Sequence, residues 1–582
     1  GYINHLLNKL TSEKIVKYYT FIKNNKMINK NKIVFLISIC LSFFVISCNT
    51  IKSSPNIVLI MVDDLNDYPE IFNGHPQAKT PNIKKLASSG VSFLKAYSND
   101  PMCGPSRASM ITGVYPHNSS NFWQESWLKN EVLSNTKTIM EKFKENGYDV
   151  IGSGKILHHN KKEIWSEFKH NADYGPVAYK GKHEKGKKGV AHPDVPKPFR
   201  EIGQIDGSFG PFKNLKNIKI DGEQLSWAYG GSRGYKKFKY NSEEDRDLTP
   251  DEINAQWAED RLNKLAKSNI DKPFFLAVGF LRPHTPLVAP QKYFDMYPLE
   301  DIQLANILEN DKDDTFRNYD SLIEKDSESS SSNTLTHKNL KKRWIRMFYD
   351  LEESYKDPEE GLRRFTQAYL ACVSAVDDNI GQVMNAIDNS KLKDNTIVVL
   401  VSDHGWTMGE KDHVYKNSLW EESTRVPMSI RAPGISKPNS KVEHPVSLID
   451  IYPTLLDLAD LDNKTAKNQK GKSLDGHSLR PFLEDPDTKD WNGPKGALSV
   501  VYSSDKNKNN TANHHYSLRT KDWRYIIYDS GNEELYNNNS DPKEWNNLLY
   551  NKTHPKRNEM VEILKEMTYP MVPNGLKVLN KN

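Results

Sequence analysis

The stretch "NIVLIMVDD", residues 56–64, decides the fold. An uncharged, mostly aliphatic run of this length suits one strand buried on both faces, and two carboxylates close it. The same design returns in "YDVIGSGK" (residues 148–155), "PFFLAVGF" (273–280) and "TIVVLVSDHG" (396–405), each ending in glycine or polar residues. Helical patterns lie between them. In "TPNIKKLASSG" (80–90) Thr80 before Pro81 caps the start and Gly90 stops it, and "RRFTQAYLACVSAVDDNIGQVMNAI" (363–387) is a longer example. Alternating strands and helices imply an α/β domain with a mainly parallel sheet flanked by helices, whose ligands collect beyond the carboxyl ends of the strands. Asp63, Asp64, Lys155, Asp403 and His404 all fall there.

The chain has 582 residues, room for one large α/β domain and a smaller one, and its 37% hydrophobic and 10% aromatic content excludes global disorder. We place the catalytic domain at residues 55–488. Two stretches read as insertions: residues 180–250, rich in Lys, Gly and Pro without clear periodicity, and residues 308–340, with the polar low-complexity loop "DSESSSSN". After Pro481 the pattern changes to short alternating runs with turn signals. That predicts a smaller C-terminal α+β subdomain over residues 490–582, an antiparallel sheet with a terminal helix.

The formal charge of +5 resides in the leader, because residues 1–47 hold seven Lys against one Glu and leave −1 for the rest. A near-neutral remainder excludes nucleic-acid binding, which needs a basic face. Lys30 and Lys32 precede "IVFLISICLSFFVIS" (33–47), a secretory signal peptide shorter than the ~20 residues of a membrane span. "VISC" (45–48) resembles the lipobox of bacterial lipoproteins, which implies lipidation of Cys48 as the new N-terminus. The expected location is the periplasm or outer membrane of a Gram-negative bacterium, with the chain lipid-anchored. Met27 leaves residues 1–26 as either an untranslated extension or a long n-region. Of the four cysteines, Cys40 leaves with the leader and Cys48 carries lipid; Cys103 and Cys372 remain, too few for a disulfide-stapled fold.

The strongest local signal is "CGPSRASMITG" (103–113). It places Cys103 at a helix N-terminus, where backbone N–H groups favour an anion. The Cys-to-Arg gap is too short for the phosphate loop of cysteine-dependent phosphatases. Asp63 with Asp64, and Asp403 with His404, deliver four potential metal ligands from two strand ends, and carboxylate oxygen favours calcium or magnesium. Lys155 and His158 in "GKILHH", His284 in "RPHTP" and Lys416 in "KDHVYKNSLW" lie beyond the same edge, with His159, His413 and Arg282 as neighbours. A single Lys is ordinarily a solvated charge and a single His ordinarily structural; a shared sheet edge reverses that expectation.

C-x-P-S-R followed by a small-residue helix resembles the signature of the type I sulfatases, whose Cys is oxidised to Cα-formylglycine, and "SDHG" is similar to the iduronate-2-sulfatase-like branch. The resemblance spans residues 55–582 apart from the two insertions, and implies an alkaline-phosphatase-like fold. It further implies that Asp63, Asp64, Asp403, His404 and an oxygen of the formylglycine derived from Cys103 bind Ca²⁺, while Lys155, His158, His284 and Lys416 hold sulfate. Arg107, Lys155 and Lys416 would offset the ester's charge, and the metal would lower the pKa of the hydrated aldehyde at 103. His284 or His158 would protonate the leaving alkoxide. Pro105 and Ser106 would matter to the formylglycine-generating maturase. The implied substrate is a sulfated oligosaccharide attacked from its end, from an algal polysaccharide such as ulvan or from a glycosaminoglycan. Two other readings are a phosphomonoester or phosphonate hydrolase of the same superfold, and a catalytically dead glycan-binding lipoprotein. The C-x-P-S-R motif argues against the first, the intact residue set against the second.

Overall fold

The computed structural model describes residues 54–181, 189–230, 236–268, 272–315, 340–503 and 510–579, with side chains from 346 onward in the 340–503 segment. The leader with Cys40 and Cys48, and the "DSESSSSN" loop, lie outside the described residues. Among the described residues no helix is long and apolar enough to cross a membrane.

A nine-stranded mixed sheet forms the centre. Its strands run in the order Ser440–Val442, Val91–Tyr97, Arg425–Arg431, Thr396–Ser402, Asn56–Val62, Phe274–Phe280, Asp149–Gly154, Glu167–Phe168, with Val446–Ser447 also on Val91–Tyr97. Thr396–Ser402 through Glu167–Phe168 are mutually parallel, and Arg425–Arg431 is antiparallel to both neighbours. The four strands expected from the uncharged runs are the four central parallel ones. Both faces are covered, so alternate residues of Asn56–Val62 enter two different apolar clusters: Val58, Ile60 and Val62 in one, Ile57, Leu59 and Met61 in the other. Burying each such side chain contributes roughly 1.5–3 kcal/mol.

Helix Pro358–Asp388 covers one face, capped by the Asp357 side chain, which accepts from Glu359 N at 3.1 Å. Helix Pro81–Ser88 starts where expected, but the Thr80 side chain makes no cap bond. Asp377 of the long helix accepts from Asn82 N at 3.1 Å and Ile83 N at 2.7 Å instead, a cap supplied by tertiary contact.

The stretch read as an insertion, residues 180–250, holds strands Glu223–Tyr229, Lys219–Ile220 and Lys236–Lys237, which with Val177–Lys180 at its start form a small sheet. Its own apolar cluster includes Ala178, Phe212, Leu225, Trp227 and Phe238. Lys219–Ile220 and Lys236–Lys237 are only two residues long and leave no periodicity to read. The C-terminal region forms the expected antiparallel sheet, Gly496–Val501, His515–Thr520, Trp523–Ile527 and Glu533–Asn537, followed by helix Lys556–Thr568. Its first strand grips the segment leading to Cys103: Val500 N donates to Asn99 O at 2.9 Å, and Ser499 Oγ to Ser98 O at 2.6 Å.

Candidate active site

Strand register assembles the site. Val62 lies opposite both Phe280 and Ser402, and Gly279 lies opposite Gly154. Asp63, Asp403 and Lys155 therefore emerge side by side, with His284 a few residues beyond Phe280. The backbone of Lys155 packs so closely on its neighbour that a Cβ on Gly279 would meet Lys155 C and O at 2.2 Å. Asp64 follows in the left-handed region at φ 59°, a conformation Asp tolerates better than most residues, and turns its carboxylate back over the edge. Tyr369 OH donates to Asp64 O at 2.6 Å and helps to hold that turn.

Cys103 begins helix Cys103–Thr112, which is buried along its whole length. Arg107, one turn in, is fully buried; its Nε donates to Asp403 Oδ2 and its Nη2 to Asp63 Oδ1, both at 2.9 Å, while Nη1 reaches Ile156 O at 3.2 Å and Lys155 O. The guanidinium thus ties three strand ends to the helix. Ser106, expected to serve maturation, also has a place in the fold, donating from Oγ to Asp403 O at 2.6 Å. Pro105 is buried in the same turn.

Four donor atoms, one each from Asp63, Asp64, Cys103 and His404, lie within 4.8 Å of one another. Cys103 Sγ is 3.2 Å from both His404 Nε2 and Lys416 Nζ, and 3.8 Å from Asp64 Oδ1. His404 Nδ1 lies 3.0 Å from Gly405 O. A carbonyl only accepts, so Nδ1 carries the hydrogen and Nε2 turns a lone pair into the cluster, as a metal-ligating imidazole does. Asp403 borders this group: Oδ1 accepts from Asp64 N at 3.1 Å and His404 N at 3.0 Å, and Oδ2 is 3.6 Å from His404 Nε2.

Two buried lysines face the carboxylates. Lys416 Nζ donates to Asp64 Oδ1 at 2.7 Å and Oδ2 at 2.9 Å, and Lys155 Nζ donates to Asp63 Oδ2. Burial would raise both carboxyls, yet Lys155 and Arg107 overcome it at Asp63 and hold it well below the usual range. At Asp64 burial outweighs Lys416 and the carboxyl stands well above it. Two carboxyls, a thiol sulfur and the His404 Nε2, which is 3.3 Å from Asp64 Oδ1, crowd one space, and that donor set fits a divalent cation. Burial also pushes the Cys103 thiol up, so an unmodified thiolate is not favoured here.

His284 Nε2 lies 3.8 Å from Asp64 Oδ2, while its Nδ1 bonds Thr285 O at 2.6 Å. Burial, then Lys416 and Lys155, hold it well below the usual histidine value. His158 is half-buried beside Lys155, its Nδ1 without a hydrogen-bond partner, and burial and Lys155 push it down to about 3. His159 stacks at a tilt on His158 with ring centroids 4.9 Å apart. His413 belongs to its own loop, bonded through Nδ1 to Thr407 Oγ1 at 2.6 Å. Arg282 is a loop organiser, donating to Val288 O at 3.1 Å and Gly175 O at 3.0 Å. Tyr174 joins the wall of the site between Lys155 and His284, and its sequence, "NADYGPV", carries no motif that would have marked it.

A mainly parallel α/β sheet with a cation-ringed donor cluster beyond its strand ends defines a class, the hydrolases of anionic esters. The comparisons narrow it. A family model described as "Sulfatase" matches residues 55–461, and one described as "N-sulphoglucosamine sulphohydrolase, C-terminal" matches residues 409–570. A "Sulfatase" of Formosa agariphila is 32% identical over 553 residues, 93% of this chain and 92% of that protein. "Iduronate 2-sulfatase" of Mus musculus is 25% identical over 568 residues, 87% of this chain and 93% of that protein. Among solved structures, one of a protein in complex with its substrate D-glucosamine-2-N,6-O-disulfate superposes with TM-score 0.60 at 21% identity, covering 90% of this chain and 99% of that one. A phosphonate monoester hydrolase from Silicibacter pomeroyi superposes with TM-score 0.62 at 20% identity, covering 88% and 94%. The chain belongs to the sulfatase family and is a sulfuric ester hydrolase.

Proposed function

We propose that this sulfatase is an exo-acting carbohydrate sulfatase that works through formylglycine at position 103 and Ca²⁺. The observation that carries the reading is the convergence of Lys416 Nζ and His404 Nε2, each at 3.2 Å, on Cys103 Sγ at a helix start, with Lys155 close by on Asp63. A sulfate monoester repels nucleophiles by its charge, and buried ammonium groups answer that where water cannot screen them. Asp63, Asp64, His404 and residue 103, with Asp403 alongside, would hold the cation, which would neutralise charge on the sulfate and lower the pKa of a hydroxyl. Formylglycine at 103 would supply a hydrated aldehyde, one hydroxyl to attack sulfur and a second that lets the aldehyde reform as sulfate departs.

The remaining steps belong to side chains of the chain itself. Lys155, Lys416, His158 and His284 bind the sulfate oxygens. Arg107 spends its donors on Asp63, Asp403 and two carbonyls, and so orients the ligands from behind. The leaving alkoxide needs a proton, which His284 Nε2 is placed to give. Burial, with Lys416 and Lys155 added to it, disfavours the charged form of His284 without substrate, and a bound sulfate offsets those lysines and favours the protonated ring.

The substrate class, a sulfated saccharide of algal or glycosaminoglycan origin, follows from the relatives' names and from the exported, lipid-anchored, periplasmic or outer-membrane location that the leader and Cys48 suggest. Maturation of Cys103 by a formylglycine-generating enzyme is part of the same proposal. The second reading, a phosphonate or phosphomonoester hydrolase, has the Silicibacter fold likeness in its favour. Nitrophenyl sulfate assayed against nitrophenyl phosphate, each with a chelated control, separates them. Sulfate cleavage lost on chelation supports the proposal, and preferential phosphate cleavage contradicts it. Defined sulfated oligosaccharides, with NMR of the products, then report the sugar and the position.

A further inference from the structure

The Lys155 ammonium lies 5.0 Å from the centroid of the Tyr174 ring, and the same ring meets His284 edge-on at 5.2 Å and 75°. These are two of the groups assigned above to the sulfate. The backbone around Tyr174 is clamped on several sides. Arg282 Nη2 donates to Tyr174 O at 3.4 Å and Gly175 O at 3.0 Å, and Asp173 Oδ1 accepts from Gly175 N at 2.8 Å and Gly230 N at 2.7 Å. Arg282 is itself seated on Asp251, whose carboxylate accepts from Leu281 N at 2.7 Å and Arg282 N at 2.8 Å. A Cβ on Gly175 would meet Gly230 N at 2.5 Å, so the loop touches the end of strand Glu223–Tyr229 with no room for a side chain.

We propose that Tyr174 is a positioning residue of the sulfate site: its ring fixes the Lys155 ammonium and the His284 imidazole relative to one another, and the Asp173–Gly175 turn, braced by Arg282 and Gly230, is the scaffold that aims it. A lysine with only Asp63 to hold it would swing with that carboxylate. The Tyr174 hydroxyl hydrogen-bonds Lys155, and the ring also restrains the ammonium electrostatically from 5.0 Å. The edge contact does the same for His284, whose backbone shares the Arg282 clamp through Arg282 Nη1 on His284 O at 3.4 Å. A turn just before the 180–250 insertion thus completes the wall of the site.

This inference rests on the sulfate-binding reading of Lys155 and His284, and the test keeps the two apart by measuring inorganic sulfate affinity calorimetrically as well as nitrophenyl sulfate turnover. Y174F keeps the ring, so sulfate Kd and KM should stay within about threefold of the parent protein; Y174L fills much of the volume without a π face, so both should rise about 10-fold. Thermal midpoints of the two variants should agree within a few degrees, which separates positioning from folding. A Y174L protein that binds sulfate as the parent does, or a Y174F protein that loses as much as Y174L, overturns the proposal. A parent protein that binds sulfate and responds to Y174L as stated, yet cleaves no sulfate ester, contradicts the hydrolytic mechanism and leaves the role of Tyr174 supported.

Discussion

Two arrays of buried charge can be set side by side. One is the active site, where Arg107, Lys155 and Lys416 face Asp63, Asp64 and Asp403. The other lies at the junction with the C-terminal sheet, where Arg519 and Arg524 face Glu421 and Glu544. In the second, each arginine and each glutamate has several partners. Arg524 Nη1 donates to Leu419 O and Ser517 Oγ, both at 2.9 Å, and Nη2 to Thr424 Oγ1 at 3.2 Å as well as to Glu421. Arg519 Nε donates to Glu421 Oε2 at 3.0 Å, Tyr97 OH to Glu421 Oε1 at 2.8 Å, and Asn538 Nδ2 to Glu544 Oε1 at 2.8 Å. In the first, four donor atoms from Asp63, Asp64, Cys103 and His404 share one small space, with Lys155, Lys416 and Arg107 around them. Burial of charge alone therefore does not mark a functional site; several metal-ligating atoms crowded into one space do. The ion-paired array also supports the donor cluster, because Leu419 and Glu421 follow closely on Lys416 in the chain.

The comparison makes removal of single groups informative. Cys103→Ala should abolish turnover, a loss of at least about 10⁴-fold, with the thermal midpoint nearly unchanged, because it removes the reacting group and leaves the carboxylates paired. Asp403→Ala should cost both bound metal and activity, read by metal analysis of the purified protein alongside kcat; a variant that keeps a full complement of calcium contradicts a ligand role for Asp403. His284→Ala should lower kcat/KM on a sugar sulfate by about 10²–10⁴-fold and much less on nitrophenyl sulfate, whose leaving group needs no proton. Equal losses on both would make His284 a sulfate-binding group and pass the acid role to His158.

At the ion-paired array the effect should fall on stability. Arg524→Leu leaves Glu421 and Glu544 short of a buried partner and should cost about 3–5 kcal/mol in denaturant titration, with kcat of the folded fraction reduced less than about tenfold. A collapse of kcat with stability intact would erase the distinction between the arrays. The smallest effect concerns pH. Burial opposes the Glu421 charge, but Arg519 and Arg524 prevail and hold the carboxyl far below the usual glutamate value. A depressed carboxyl stabilises the fold fully above its unfolded pKa and loses that contribution as pH falls toward its folded value. The stability gap between the parent protein and Glu421→Gln should therefore be flat from about pH 8 to pH 5 and shrink below about 4.5.

Sequence made the site legible where chemistry coincides with strand ends. Asp63, Asp64, Lys155, Asp403 and His404 each follow an apolar run, and parallel register then brings those ends together. The C-terminal antiparallel sheet was readable from alternation and turn residues. Contacts that depend on tertiary geometry were not. Nothing local shows that Arg107 spends its donors behind the ligands, that Asp377 caps a helix some 295 residues away, or that Tyr174 reaches the wall of the site. The ion-paired array was invisible for the same reason, since Glu421, Arg519, Arg524 and Glu544 share no spacing.

The central claim is that residue 103 acts as formylglycine in the space the cations define. Digestion of active protein, co-expressed with a maturase, releases the peptide of residues 96–107 between Lys95 and Arg107. Its mass should be that of the formylglycine form, and the fraction converted should track specific activity across preparations. Fully active protein whose peptide carries only unmodified Cys103 would contradict the account.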